Sequence, residues 1–166
     1  MLKGLLLAVP LMLVGYHFDA LTRTLGIPVN SHFDPYKRVR GWAELGRQAQ
    51  LLQAQYPRAL FLADSRDLMA ELEYYVHPHP LDAVLWNPHQ VMDNHYAMTT
   101  TIEDKRDREF LYVTGPGPLP PEVRNSFEYV EGLPPLHVGV HPDFALDYAV
   151  WHLDRFRGYN SLNPAP

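Results

Sequence analysis

The sequence predicts an α/β fold: a small three-layer domain with a mostly parallel sheet, preceded by a hydrophobic N-terminal helix. Three observations carry that expectation. Short apolar runs alternate with stretches of helical periodicity, the order expected of strand–helix–strand crossovers. At 166 residues the chain is long enough for one domain and short for two. An uncharged, almost wholly apolar run, GLLLAVPLMLVGY, occupies residues 4–16.

That first run is open to three readings. As a helix its thirteen residues reach about 20 Å, short of the ~30 Å hydrocarbon core of a bilayer. A signal peptide would fit Lys3 and the apolar length, but bulky Tyr16, His17 and Phe18 stand where small residues should precede cleavage. A buried core helix fits poorly with Pro10 at its middle and no polar positions. The preferred reading is a partial transmembrane helix over residues 1–17, its beginning upstream of Met1. Residues 18–40 then form a proline-punctuated juxtamembrane linker with a short helix near 20–25. Arg23, Lys37, Arg38 and Arg40 follow the apolar run while Lys3 alone precedes it, a count that weakly favours a cytoplasmic domain.

The expected α/β domain covers residues 41–158. Trp42, Leu45, Ala49, Leu52 and Tyr56 recur at spacings of three and four, which predicts a helix over 41–55 stopped at Pro57. Residues 59–63 (ALFLA) read as a buried parallel strand. Asp64 or Ser65 can cap a second helix whose inner face holds Leu68, Met69, Leu72, Tyr75 and Val76. Residues 82–86 and 108–114 read as two more strands. Gly115, Pro116, Gly117 and Pro118 break the chain, a short helix fits 120–127, and Tyr129 and Val130 suggest a brief strand. Leu136, Val138 and Val140 alternate with His137 and Gly139 as in a half-buried strand. Residues 144–153 favour a last strand over a helix because Phe144, Tyr148, Val150 and Trp151 suit one. A loose tail is expected over 159–166.

Composition narrows the chemistry. A net charge of −5 with scattered basic residues argues against a nucleic-acid partner. The absence of cysteine removes disulfides, thiolate metal ligands and a thiol nucleophile. No dinucleotide or phosphate-loop glycine pattern occurs, and Pro116 removes an N–H that a phosphate cradle would use. Nine histidines include the pairs His77/His79 and His137/His141, but no metal-ligand motif surrounds them, so exposed histidines are preferred over a ligand set. No nucleophile elbow surrounds Ser65, which is better explained as a cap. Asp64, Arg66 and Glu71 remain, on a strand-to-helix connection where an open parallel sheet puts its ligands. Arg66 could grip a phosphate or carboxylate at two points, against the plainer reading of a surface pair. No cofactor, metal or catalytic constellation emerges from the residues.

The order of segments carries a further signal. An apolar helix is followed by HFDALTRTLGIPV, DPYKRVRGWAELG, a strand ending in Asp64, Ser65 and Arg66, then AELEYYV, VLW and NHY. This string resembles the C-terminal region of bacterial family-39 glycosyltransferases, the multi-pass enzymes related to protein O-mannosyltransferases and the aminoarabinose transferase of lipid A. The matching stretches are residues 41–46, 63–66 and 70–75, with Asn94 and Tyr96. The resemblance implies an accessory domain of an enzyme that moves sugar from a polyprenyl-phosphate donor, on the periplasmic side of the bacterial inner membrane. It also implies that the catalytic acidic loops lie in a membrane portion this sequence lacks. Implied partners are that membrane portion, the lipid bilayer and a lipid-linked sugar, with Asp64, Arg66, Glu71, Asn94 and Tyr96 as a polar rim. The alternative is a membrane-anchored binding or assembly module without catalytic activity.

Overall fold

The computed structural model describes residues 2–159, and side chains from residue 8 onward. The tail expected over 159–166 therefore lies, beyond Tyr159, outside the described residues. Helix α1 spans Leu2–Tyr16 and runs through Pro10. After a turn at His17 comes α2, Phe18–Thr24.

The expectation of a partial transmembrane helix is corrected here. Helix α1 has 15 residues, about 22 Å, and beyond the turn at His17 the chain takes on Asp19 and Arg23. Among the described residues no helix is long and apolar enough to cross a membrane. The linker after α2 is built from turns and one short 3-10 segment, Lys37–Val39.

The linker is fastened to the rest of the chain by buried charge. The Asp34 side chain has no exposed surface. Its carboxylate accepts hydrogen bonds from the Tyr36 backbone N–H at 2.8 Å, Arg40 Nε at 2.5 Å and His141 Nε2 at 2.8 Å. Arg40 also grips Asp19, and Asp143 accepts from the Ser31 N–H and hydroxyl. Burial disfavours the Asp34 carboxylate, but the bonds from Arg40, Tyr36 and His141 overcome it and hold the pKa down at about 2.

Helix α3 covers Trp42–Gln55, entered through Gly41 at φ 86°. A Cβ on Gly41 would lie 2.9 Å from both Leu146 Cδ1 and Val140 Cγ2, so packing as well as backbone conformation demands glycine. Strand β1 (Leu60–Ala63) leads into α4 (Arg66–Tyr75), and β2 is only Val84–Leu85. Helix α5 (His95–Thr99) and a 3-10 turn at Glu103–Lys105 precede β3, Phe110–Thr114. Helix α6 (Pro121–Ser126) leads into the long β4 (Phe127–His141), which returns as β5 (Phe144–Phe156).

The five strands lie in the order β2-β1-β3-β5-β4. Only β2, β1 and β3 are parallel; β5 runs antiparallel to both β3 and β4. The sheet is mixed, which corrects the mostly parallel expectation. The cause is the short connection from His141 to Phe144, which can make a hairpin but not the dozen-residue crossover that a parallel neighbour requires. Pro134 and Pro135 sit where the β4–β5 register slips, between Leu133 and Leu136, since proline cannot donate to a ladder.

Both sheet faces are covered. On one, Leu45, Ala49 and Leu52 of α3 and Leu68, Met69 and Leu72 of α4 pack on Phe61, Ala63, Leu111, Val113 and Val150. On the other, Trp86, Ile102, Val123, Phe127 and Phe156 pack on Leu60, Leu62, Phe110, Tyr112 and Leu153. The chain leaving β1 thus turns to the first face through α4. The chain leaving β2 lays Trp86 and Ile102 on the second, while Tyr96 of α5 between them packs on the first. A crevice lies at the carboxyl ends of the two strands.

Candidate functional site

The crevice is lined by residues that the strand ends and helix caps hold in place. Ala63 pairs with Val113 in the β1–β3 register, so the next residues, Asp64 and Thr114, face each other across the strand ends. Thr114 Oγ1 donates to Asp64 Oδ2 at 2.5 Å. Ser65 is extended and its hydroxyl accepts from the Leu68 N–H at 3.4 Å, capping α4. Arg66 opens the helix with its side chain 68% exposed, its Nε 3.3 Å from Asp67 Oδ1.

The opposite wall follows β2. The Trp86 N–H donates to the Ala63 carbonyl at 2.7 Å, prolonging the pairing one residue past the strand. The Asn87 side chain then clamps Val91 at two points, donating to its carbonyl at 3.0 Å and accepting from its N–H at 3.1 Å. Asn94 caps α5 by accepting from the Ala97 N–H at 3.1 Å, and its Nδ2 donates to Asp93 Oδ1 at 2.7 Å. Between the walls lies a cavity of about 290 Å³, lined by Asp64, Ser65, Arg66, Asn87, Asp93 and Asn94 with Leu85, Trp86, Val91 and Ala97.

Of the five residues singled out from sequence, Asp64, Arg66 and Asn94 meet here and Glu71 and Tyr96 do not. Glu71 lies half-buried on α4, where burial and then the Asp67 charge raise its carboxyl pKa. The Tyr96 hydroxyl donates to Glu73 Oε2 at 3.0 Å, so it ties α5 to α4. Burial and the Glu73 carboxylate push its pKa up. Asn87 and Asp93 were missed. The available signals were an Asn-Pro pair directly after a strand and an Asp next to a cap residue.

The lining residues supply hydrogen-bond donors and acceptors but no nucleophile with a base beside it. No histidine lines the cavity. Four histidines serve other contacts: His141 with Asp34, His137 Nδ1 with Asp147 at 2.5 Å, His152 Nε2 with Glu109 at 3.3 Å, and His79 Nδ1 with the Glu73 carbonyl at 2.7 Å. Among the described residues no three His, Asp or Glu side chains converge as metal ligands. A larger cavity of about 470 Å³ lies beside the Gly115–Pro118 turn, lined by Pro116, Leu133, Pro135, Tyr148 and Trp151. It is mainly apolar, and its one carboxylate, Asp147, is engaged by His137.

Compared with known proteins, the chain matches no family model, no curated protein and no solved structure.

Proposed function

We propose that this chain is a ligand-contacting accessory domain of a glycosyltransferase that uses a polyprenyl-phosphate-linked sugar, with the transfer chemistry supplied by a membrane portion outside this sequence. The observation that carries the reading is the meeting of Asp64, Arg66 and Asn94 in one polar cavity at the carboxyl ends of β1 and β2. Those residues come from the segments on which the family resemblance rests. The cavity offers recognition groups without a nucleophile–base pair, which suits binding rather than turnover. The reading carries with it a periplasmic position at the bacterial inner membrane.

A short-chain polyprenyl-phosphate sugar with a diazirine on the sugar tests this. Irradiation is expected to label peptides containing residues 64–66 and 87–94, with competition by unlabelled donor and no sugar release by the chain alone. Labelling confined to other peptides, or turnover by the purified chain, would contradict the reading.

One observation favours the second reading, a binding or assembly module. Val9, Leu11, Met12, Leu13, Val14 and Tyr16 of α1 are all exposed, leaving an apolar helix surface for another apolar surface to cover.

A further inference from the structure

The cavity between β1 and β2 has a charge pattern that discriminates between the two halves of a lipid-linked sugar. Three carboxylates stand at or beside it: Asp64 and Asp93 in its lining, and Asp67 on the guanidinium of Arg66. Arg66 is the one cation in the lining, and its Nε already faces Asp67 at 3.3 Å. A phosphate entering here would meet three carboxylates against one guanidinium, more like charge than opposite charge.

Hydroxyl groups meet the reverse situation. Asp64 uses one oxygen for Thr114, and its other oxygen accepts no hydrogen bond among the described residues. A carboxylate with an open oxygen accepts from a sugar hydroxyl, and a guanidinium donates to one, so a polyol can satisfy both while bringing no charge. The walls are also set before any ligand arrives. Asn87 holds the 87–91 loop through both its amide atoms, and Asn94 holds α5 and Asp93 together. Binding there would require little ordering of the site.

We infer that this cavity is a saccharide subsite that takes an uncharged polyol through Asp64, Arg66, Asp93 and Asn94 and excludes the phosphate. The inference deepens the proposed function and rests on it for the source of the sugar, but its chemistry is read from the cavity alone.

Saturation-transfer NMR on the full chain tests it, with methyl glycosides of neutral hexoses and pentoses as one set of probes and inorganic phosphate and farnesyl phosphate as the other. At least one neutral glycoside is expected to receive saturation. Asp64→Asn and Arg66→Gln should each weaken that signal about fivefold or more, with the amide spectrum otherwise preserved. Neither phosphate probe should shift the amides of residues 64–66. Silence from every glycoside overturns the inference, as does a glycoside signal that both variants retain. Farnesyl phosphate shifting residues 64–66 without any glycoside signal also overturns it, while leaving the accessory-domain reading standing on its photolabelling result.

Discussion

Asp34 couples the stability of this protein to acid pH. Its folded-state pKa of about 2 lies below the ordinary carboxylate value of 3.8. A group depressed in this way contributes stability above its unfolded pKa, and that contribution drains away as pH falls through the folded value. Stability should therefore decline between about pH 4 and pH 2, and Asp34→Asn should flatten that part of the profile in urea melts recorded against pH. At neutral pH the same substitution should cost about 2–4 kcal/mol, because Arg40 and His141 lose a buried anionic partner. Gly46 is a second sensitive position. A Cβ there would lie 2.5 Å from the Tyr75 Cβ and 2.7 Å from the Tyr75 carbonyl oxygen, where α3 crosses α4. Gly46→Ala gains roughly 1 kcal/mol of helix propensity yet forces the helices apart, so a net loss of about 1–2 kcal/mol is expected by urea unfolding. At this scale the sequence was informative where local chemistry decides: the Ser65 cap and the Asp64–Arg66 turn were both legible. Asn87 and Asp93 carried only weak local signals, an Asn-Pro pair and an Asp beside a cap, because their roles depend on which wall the 87–94 loop forms.

Among the elements, the β4–β5 hairpin departs furthest from the expectation. Its second strand was legible from the strand formers at 144–151, but its first only in pieces, a brief strand at 129–130 and alternation at 136–140, which the structure joins into one strand, Phe127–His141. Their direction was also implicit in the short gap between them, but strand–helix alternation earlier in the chain pulled the expectation toward parallel pairing. The sheet is instead a parallel unit of three strands extended by an antiparallel hairpin, with β5 rather than β4 against β3. As the outer strand, β4 leaves one edge without a strand neighbour, and α3 partly covers it. Gln48 imitates a neighbouring strand by donating to the His137 carbonyl at 2.9 Å and accepting from its N–H at 3.1 Å. Gln48→Ala should remove both bonds. Stability is expected to fall by about 1–2 kcal/mol, with hydrogen exchange at the His137 amide accelerating more than at other β4 amides. Uniform exchange along β4 would show that the strand edge does not depend on this side chain.

At the scale of the whole molecule, the apolar surface of α1 stands apart from the two cores. Among the described residues, the Tyr36 hydroxyl joins α1 to the linker by donating to the Gly15 carbonyl at 2.8 Å. Removing residues 1–16 should change the unfolding free energy of the α/β part by less than about 0.5 kcal/mol in urea melts. The apolar run was plain in the sequence, and the helix it makes, Leu2–Tyr16, falls within the expected 1–17; the linker contact of Asp19 with Arg40 was not, because it depends on tertiary structure. The two-face α/β architecture and the crevice at its strand ends bring together Asp64, Arg66 and Asn94, which lie up to thirty residues apart in sequence. On the proposed reading, this crevice is where the protein meets its ligand. The most direct test of that reading is an amide-resolved NMR titration of the full chain with a short-chain polyprenyl-phosphate sugar. Saturable shifts concentrated at residues 64–66 and 85–94 are expected. Shifts confined to the larger cavity lined by Leu133 and Trp151 or to α1, with the crevice unchanged, would contradict it.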